Sequence, residues 1–136
     1  MTMWHDLSWE MWIAVAAGLW GLATVLMAPA VVYTTPGYLK WNAGPRDTDF
    51  DLPPIYGRLK RAYGNFMESY VLFVVVAIAL ALAHRSSTVS LFGAGLYLAA
   101  RVIYVPLYAF GVTGWRSLAW FAGLAGIAAC LFALIF

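Results

Sequence analysis

The sequence predicts an all-α protein, an integral membrane four-helix bundle. Of its 136 residues, 64% are hydrophobic and 10% are charged, whereas soluble domains are about 45–50% apolar and about 25% charged. A soluble globule of this length buries about two-thirds of its surface, which is too little to remove so much apolar area from water. The composition therefore excludes a soluble monomer, a disordered chain and a free nucleic-acid binder.

Four stretches are long enough to cross a bilayer as helices, which takes about 20 apolar residues. They are 11–32, 62–83, 86–110 and 117–136. The first and fourth stretches contain no charged residue, while the second contains Glu68 and the third contains Arg101. Because apolar and polar residues do not alternate, a membrane barrel is not expected. Residues 1–136 are interpreted as a single four-helix membrane domain.

The segment 33–60 is the one long loop between spans, and four of the eight Lys and Arg residues lie in it. The positive-inside rule therefore predicts that this loop is cytoplasmic and that both termini lie on the opposite side. Pro53 and Pro54 lie in the last third of this loop. Since proline is tolerated in the first turn of a helix, a helix is expected to restart after them.

Other features favour packing over chemistry. Small residues recur at four-residue spacing in the first and last spans, as in Ala17/Gly21 and Ala122/Gly126, and such pairs let helices approach closely in lipid. Cys130 is the only cysteine, which excludes an internal disulfide and a multi-cysteine metal site. No bound metal is expected.

The second span carries a series of polar residues, and ionisable groups within a span are functional candidates because they are costly there. Arg61, Asn65 and Glu68 are separated by four and then three residues, with Arg58 one turn earlier. At about 100° per residue, this spacing places all of them on one face of a helix.

The third span carries the mirror-image series. Arg101, Tyr104 and Tyr108 are separated by three and then four residues, so they also share one face. Pro106 lies between the two tyrosines and is expected to kink this helix.

The two spans are antiparallel, so the two series can be placed side by side. The alignment matches Arg61 with Tyr108, Asn65 with Tyr104 and Glu68 with Arg101. A buried charge without a partner would cost several kcal/mol. We therefore predict an ion pair between Glu68 and Arg101, with Asn65 and the tyrosine hydroxyls lining a polar slot beside it.

Three arginines, Arg58, Arg61 and Arg116, are expected to surround the cytoplasmic mouth of this slot. A guanidinium matches the geometry of a carboxylate, so the mouth suits a small anion. The alternative is a structural polar zipper that only fixes the register of the two helices.

The second span contains Arg61-Ala62-x-x-Asn65-x-x-Glu68. The third contains Ala100-Arg101-x-x-Tyr104-x-x-x-Tyr108, and Arg116-Ser117-Leu118 follows it. Both motifs resemble helix signatures of the MAPEG family, the membrane-associated proteins of eicosanoid and glutathione metabolism. Length, four spans and orientation agree, so the resemblance covers nearly the whole chain, and it is strongest to bacterial-type members.

The resemblance implies a homotrimer in a bacterial inner membrane, in contact with lipids, with glutathione bound as co-substrate near subunit interfaces. Enzymes of the family conjugate the glutathione thiol to lipophilic electrophiles, reduce lipid peroxides or isomerise a prostaglandin endoperoxide. The implied activity is that of a membrane glutathione transferase or peroxidase, with no metal and no nucleic acid involved.

The resemblance also implies roles for single residues. The tripeptide would be held by Arg58, Arg61, Asn65, Glu68, Tyr104 and Tyr108. Glu68 would meet its amine, Arg116 would stabilise the thiolate beside Tyr108, and Arg101 would mainly hold Glu68. A thiol is mostly protonated at neutral pH, and a nearby guanidinium favours its nucleophilic thiolate form. Alternatively, Arg116 is a positive-inside anchor and Tyr108 an interfacial tyrosine.

Two other functions are compatible with the sequence. One is a non-catalytic membrane subunit on the same scaffold that binds a lipid or joins a larger membrane complex. The other is a small four-helix multidrug transporter, a class that also uses a membrane-embedded glutamate.

Some family enzymes carry a tyrosine directly after the glutamate, whereas this chain has Ser69 and then Tyr70.

Overall fold

The computed structural model describes residues 7–136, and these residues form five helices. They are α1 (Trp9–Tyr33), α2 (Tyr38–Ala43), α3 (Pro54–Leu82), α4 (Thr88–Ala109) and α5 (Thr113–Ile135). All but α2 are long and apolar enough to cross a membrane, and each corresponds to one predicted span. The predicted all-α membrane bundle is thereby confirmed. Residues 1–6 of the predicted domain lie outside the described residues.

The long loop holds one element that the sequence analysis did not anticipate. The short helix α2 follows Gly37, whose φ of 81° is the left-handed conformation that glycine adopts readily. Tyr38 and Trp41 of α2 pack on Phe50, with ring centroids 5.5 Å apart in both pairs. The expected helix restart is confirmed, because α3 begins at Pro54 with Pro53 as its N-cap.

Polar contacts connect three parts of the chain at the end of the bundle opposite the long loop. Glu10 of α1 accepts hydrogen bonds from Ser86 Oγ at 2.9 Å and from Ser90 Oγ. Arg85 Nη1 donates to the Leu134 carbonyl of α5 at 2.8 Å. The start of α1, the α3–α4 turn and the end of α5 therefore share one end, and the long loop and the α4–α5 turn share the other.

The helices α4 and α5 approach each other more closely than side chains would allow. A Cβ added to Gly93 would lie 2.6 Å from the Gly126 carbonyl oxygen, and one added to Gly126 would lie 2.5 Å from the Gly93 oxygen. Backbone touches backbone here, as small residues permit between helices in lipid.

Tyr97 fixes the register between α3 and α4. Its hydroxyl lies 3.1 Å from Ser69 Oγ, and its ring stacks on Phe73 with centroids 4.2 Å apart. All three residues are buried. Tyr97 therefore contacts two residues that lie one turn apart on α3 and joins α4 to it.

Candidate functional site

Arg101 is the largest fully buried side chain, with none of its surface exposed. Its Nη1 donates to Asn65 Oδ1 at 3.2 Å, across the α3–α4 contact. Its Nε and Nη2 have no hydrogen-bond partner among the described residues. The guanidinium carbon lies 5.4 Å from the Tyr97 ring centroid and 5.5 Å from that of Tyr104. The charge is therefore stabilised by one amide oxygen and two aromatic faces.

The predicted ion pair between Glu68 and Arg101 is wrong within the single chain. Arg101 meets Asn65 instead, and Glu68 is exposed. The Ser69–Tyr97 and Asn65–Arg101 hydrogen bonds join residues three positions away from the predicted alignment, while the stacked pair Phe73–Tyr97 lies within one position of it. Glu68 lies about 60° around α3 from Asn65, on the side that faces α4, but its side chain is exposed.

Tyr104, Tyr108 and Arg116 come together at the loop end of α4 and α5. The two tyrosine rings are 5.6 Å apart, and the Arg116 guanidinium carbon lies 4.5 Å from the Tyr108 ring centroid. Tyr104 is buried, while Tyr108 and Arg116 are half-buried. Arg101, Tyr104 and Tyr108 share one face of α4, as their spacing predicts. Asn65 is hydrogen-bonded to Arg101 rather than to Tyr104, and the pairing of Arg61 with Tyr108 stays a prediction.

The two arginines in the first turns of α3 have different surroundings. Arg58 Nη1 donates to the Ala109 carbonyl at 3.3 Å and packs near Gly111 in the α4–α5 turn. Carbonyls in the last turn of a helix lack intrahelical donors, so Arg58 satisfies one of them and ties α3 to the end of α4. Arg61 is exposed, and its guanidinium lies along its own helix close to Gly57.

Sequence reasoning missed three residues around Arg101. Tyr97 and Ser69 carry no motif, although a serine and a tyrosine hydroxyl inside spans are a signal for an interhelical hydrogen bond. In the sequence, Gly123 of α5 is marked only as one of the small residues of the last span. A Cβ there would lie 3.0 Å from Arg101 Nη2, so the absence of a side chain makes room for the guanidinium.

The neighbouring Tyr70 does not take the place of the tyrosine that some family enzymes have after the glutamate. Its hydroxyl donates to the Ala14 carbonyl of α1 at 3.1 Å, and its ring stacks on Phe66. Tyr70 therefore joins α3 to α1.

Together these contacts form a polar track along α4, from the buried Arg101 past Tyr104 and Tyr108 to Arg116. Two guanidinium groups with tyrosine hydroxyls between them attract an anion and lower the free energy of a thiolate relative to its thiol. The exposed Arg61 and Glu68 lie on the neighbouring helix, and both are available to a ligand or to another chain.

No curated protein and no solved structure matches the chain. A family model described as the MAPEG family matches residues 13–136, which include every residue of the polar track and all of α2 to α5. The chain therefore belongs to the MAPEG family.

Proposed function

We propose that the protein is a membrane glutathione transferase or peroxidase that activates the glutathione thiol against lipophilic electrophiles or lipid peroxides. The observation that carries this proposal is the position of Arg116, with its guanidinium over the Tyr108 ring at the loop end of the polar track. This end meets both the aqueous phase, which supplies glutathione, and the bilayer, which supplies an apolar partner.

In the proposed reaction, Arg116 and Tyr108 stabilise the thiolate after its proton passes to water. The thiolate sulfur attacks an electrophilic carbon, a carbon–sulfur bond forms, and the leaving group departs with its electron pair. A guanidinium within reach of the sulfur shifts the equilibrium toward the nucleophilic form. Arg61, Asn65, Glu68 and Tyr104, together with Arg58, are proposed to bind the tripeptide.

The charges of the exposed residues support this binding mode. Glutathione carries two carboxylates and one ammonium group, so it needs cationic and anionic partners together. Arg61 supplies a cation and Glu68, about two turns further along α3, supplies a carboxylate. Since neither side chain is buried in the single chain, we also propose that the site is completed by another copy, in a homotrimer.

Calorimetric titration of the detergent-solubilised protein with glutathione tests binding, and conjugation of 1-chloro-2,4-dinitrobenzene tests chemistry. Arg61→Ala should weaken binding, whereas Arg116→Ala should retain binding and lower kcat for conjugation. Arg46→Ala is the matched control, because Arg46 lies on the long loop with its guanidinium over the Trp41 ring. Absence of any heat of glutathione binding would overturn the proposal.

A non-catalytic member of the family is the second candidate, and Ser69 favours it. The residue after Glu68 is buried against Tyr97 and contributes no hydroxyl to the polar track. Glutathione binding without conjugation or peroxide reduction would support this candidate. The multidrug transporter alternative gains no support from the family match.

A further inference from the structure

Arg101 lies at the inner end of the polar track, and its three guanidinium nitrogens have different surroundings. Nη1 donates to Asn65 Oδ1 at 3.2 Å. Nη2 and Nε face α5, where a Cβ on Gly123 would lie 3.0 Å from Nη2 and 3.2 Å from Nε. The whole side chain is buried. Arg101 therefore has no surface with which to contact a ligand, and its one side-chain hydrogen bond within residues 7–136 is to Asn65.

The Asn65 amide has one end that accepts hydrogen bonds and one end that donates them. A guanidinium has five N–H donors and no acceptor, so the Asn65 oxygen must face Arg101 and the nitrogen must point away from it. Within residues 7–136, the buried side-chain polar atoms that lack a partner are Nε and Nη2 of Arg101. Asn65 Nδ2 has no partner there either, yet it is not one of these buried atoms. Its two hydrogens are therefore accessible at the surface of the half-buried Asn65.

We propose that Arg101 is a positioning residue of the candidate site: it turns the Asn65 amide so that only N–H donors face the ligand, and these donors bind a carboxylate of the ligand. An ammonium group is excluded from this position, because it too has only donors. The inference rests on the proposed binding of glutathione, and it specifies which chemical group of the peptide meets Asn65.

Glu68 indicates which of the two glutathione carboxylates binds there. It lies three residues after Asn65 on α3, and side chains at this spacing are neighbours, with Cβ atoms about 5–6 Å apart. Its exposed carboxylate suits the ammonium group of the peptide. In glutathione, the ammonium and the α-carboxylate are attached to the same carbon of the γ-glutamyl residue. The donor of Asn65 and the acceptor of Glu68 therefore match this end of the peptide, with its α-carboxylate on Asn65.

Asn65→Asp separates the contact with Arg101 from the contact with the ligand. An ionised aspartate still accepts from Arg101, but it has no donor for a carboxylate. The Asp variant should therefore unfold at a higher concentration of denaturing surfactant than Asn65→Ala, which loses the acceptor. A midpoint no higher than that of Asn65→Ala would show that the guanidinium does not face this position. That result would overturn the proposal whether or not glutathione binds.

Calorimetric titration with glutathione and with 4-aminobutyryl-cysteinylglycine, which lacks the α-carboxylate, tests the contact with the ligand. Asn65→Asp should weaken glutathione binding about tenfold or more, as expected for a lost hydrogen bond to a charged group, and should weaken binding of the analogue less. Asn42→Asp is the matched control, because it introduces the same charge on α2, away from the polar track. Unchanged glutathione affinity in Asn65→Asp would overturn this inference alone. Absence of heat with the wild type would overturn the proposed function and the carboxylate assignment together.

Substitutions of Arg101 test the positioning role itself. In Arg101→Met the Asn65 amide is free to reverse, so the preference for glutathione over the analogue should shrink. Arg101→Lys keeps a donor beside Asn65 and should retain more of this preference. Circular dichroism and elution volume establish that each variant is folded. An Arg101→Met variant with the full wild-type preference would show that the amide needs no positioning by Arg101, and would overturn the proposal.

Discussion

Asn65 is the one hydrogen-bond acceptor that the described chain offers to the buried Arg101 guanidinium, so Asn65→Ala isolates the energetic contribution of this contact. The bond is 3.2 Å long and Arg101 is 0% exposed, so no water replaces the lost oxygen at the surface. Hydrogen bonds to charged groups contribute about 1.5–3 kcal/mol in soluble proteins. Interhelical hydrogen bonds in membranes average about 0.6 kcal/mol, with about 1.7 kcal/mol as the upper end.

We expect the upper part of that membrane range, about 1.5 kcal/mol, because Nε and Nη2 of Arg101 already lack partners and the third nitrogen would join them. The free energy of unfolding in detergent, measured by titration with a denaturing surfactant, gives the value. A double-mutant cycle with Arg101→Met should return a coupling energy of about 1 kcal/mol, since Asn65→Ala costs little once the charge is gone.

Glu68→Gln is the control for this experiment. Because Glu68 is exposed, its substitution should change the free energy of unfolding by less than about 0.5 kcal/mol without glutathione. A loss of several kcal/mol in Glu68→Gln, with none in Asn65→Ala, would refute the Asn65–Arg101 contact and favour the Glu68–Arg101 ion pair.

Three further predictions concern helix contacts, each measured as the free energy of unfolding. Gly126→Ala should cost about 1–3 kcal/mol by overpacking against the α4 backbone, whereas Gly95→Ala, with open space around it, should not destabilise; equal losses would contradict the close approach. Tyr97→Phe should cost about 1 kcal/mol through the lost hydroxyl contact with Ser69, and an unchanged value would exclude it as a register contact. Glu10→Ala should cost about 1–3 kcal/mol, because it removes two hydrogen bonds to a carboxylate, one of them from the buried Ser90; a neutral result would show that these bonds do not stabilise the bundle.

The spans were predictable because the bilayer imposes a length and an apolar composition on any helix that crosses it. The restart at Pro54 was predictable for an equally local reason, the fixed φ of proline. The helix α2 was not, since its six residues are stabilised by packing between Tyr38 and Phe50 across the loop. Short elements held by such contacts leave little periodic signal.

The sequence predicted which residues of the candidate site share a helix face, but not how far along the neighbouring helix each of them lies. Helical periodicity placed Arg101, Tyr104 and Tyr108 together, and the structure agrees. Depth depends on how α3 slides along α4, which is set by the Ser69–Tyr97 hydrogen bond and the stacking on Phe73. Matching opposite charges paired Arg101 with Glu68, whereas the cost of burying Arg101 is offset by the Asn65 amide and two aromatic rings.

The backbone contact between α4 and α5 bears on how the chain enters the bilayer. Compared over the most hydrophobic 18 residues of each long helix, α4 has the lowest mean hydropathy, 1.5, and α5 the highest, 2.3. An arginine at the centre of a span costs about 2.5–3.5 kcal/mol on insertion scales. A short turn after Ala109 brings α5 alongside, with Gly123 facing the guanidinium. The helix α5 thus shields Arg101 of α4 from lipid. The two helices are therefore suited to leaving the translocon together as one hairpin.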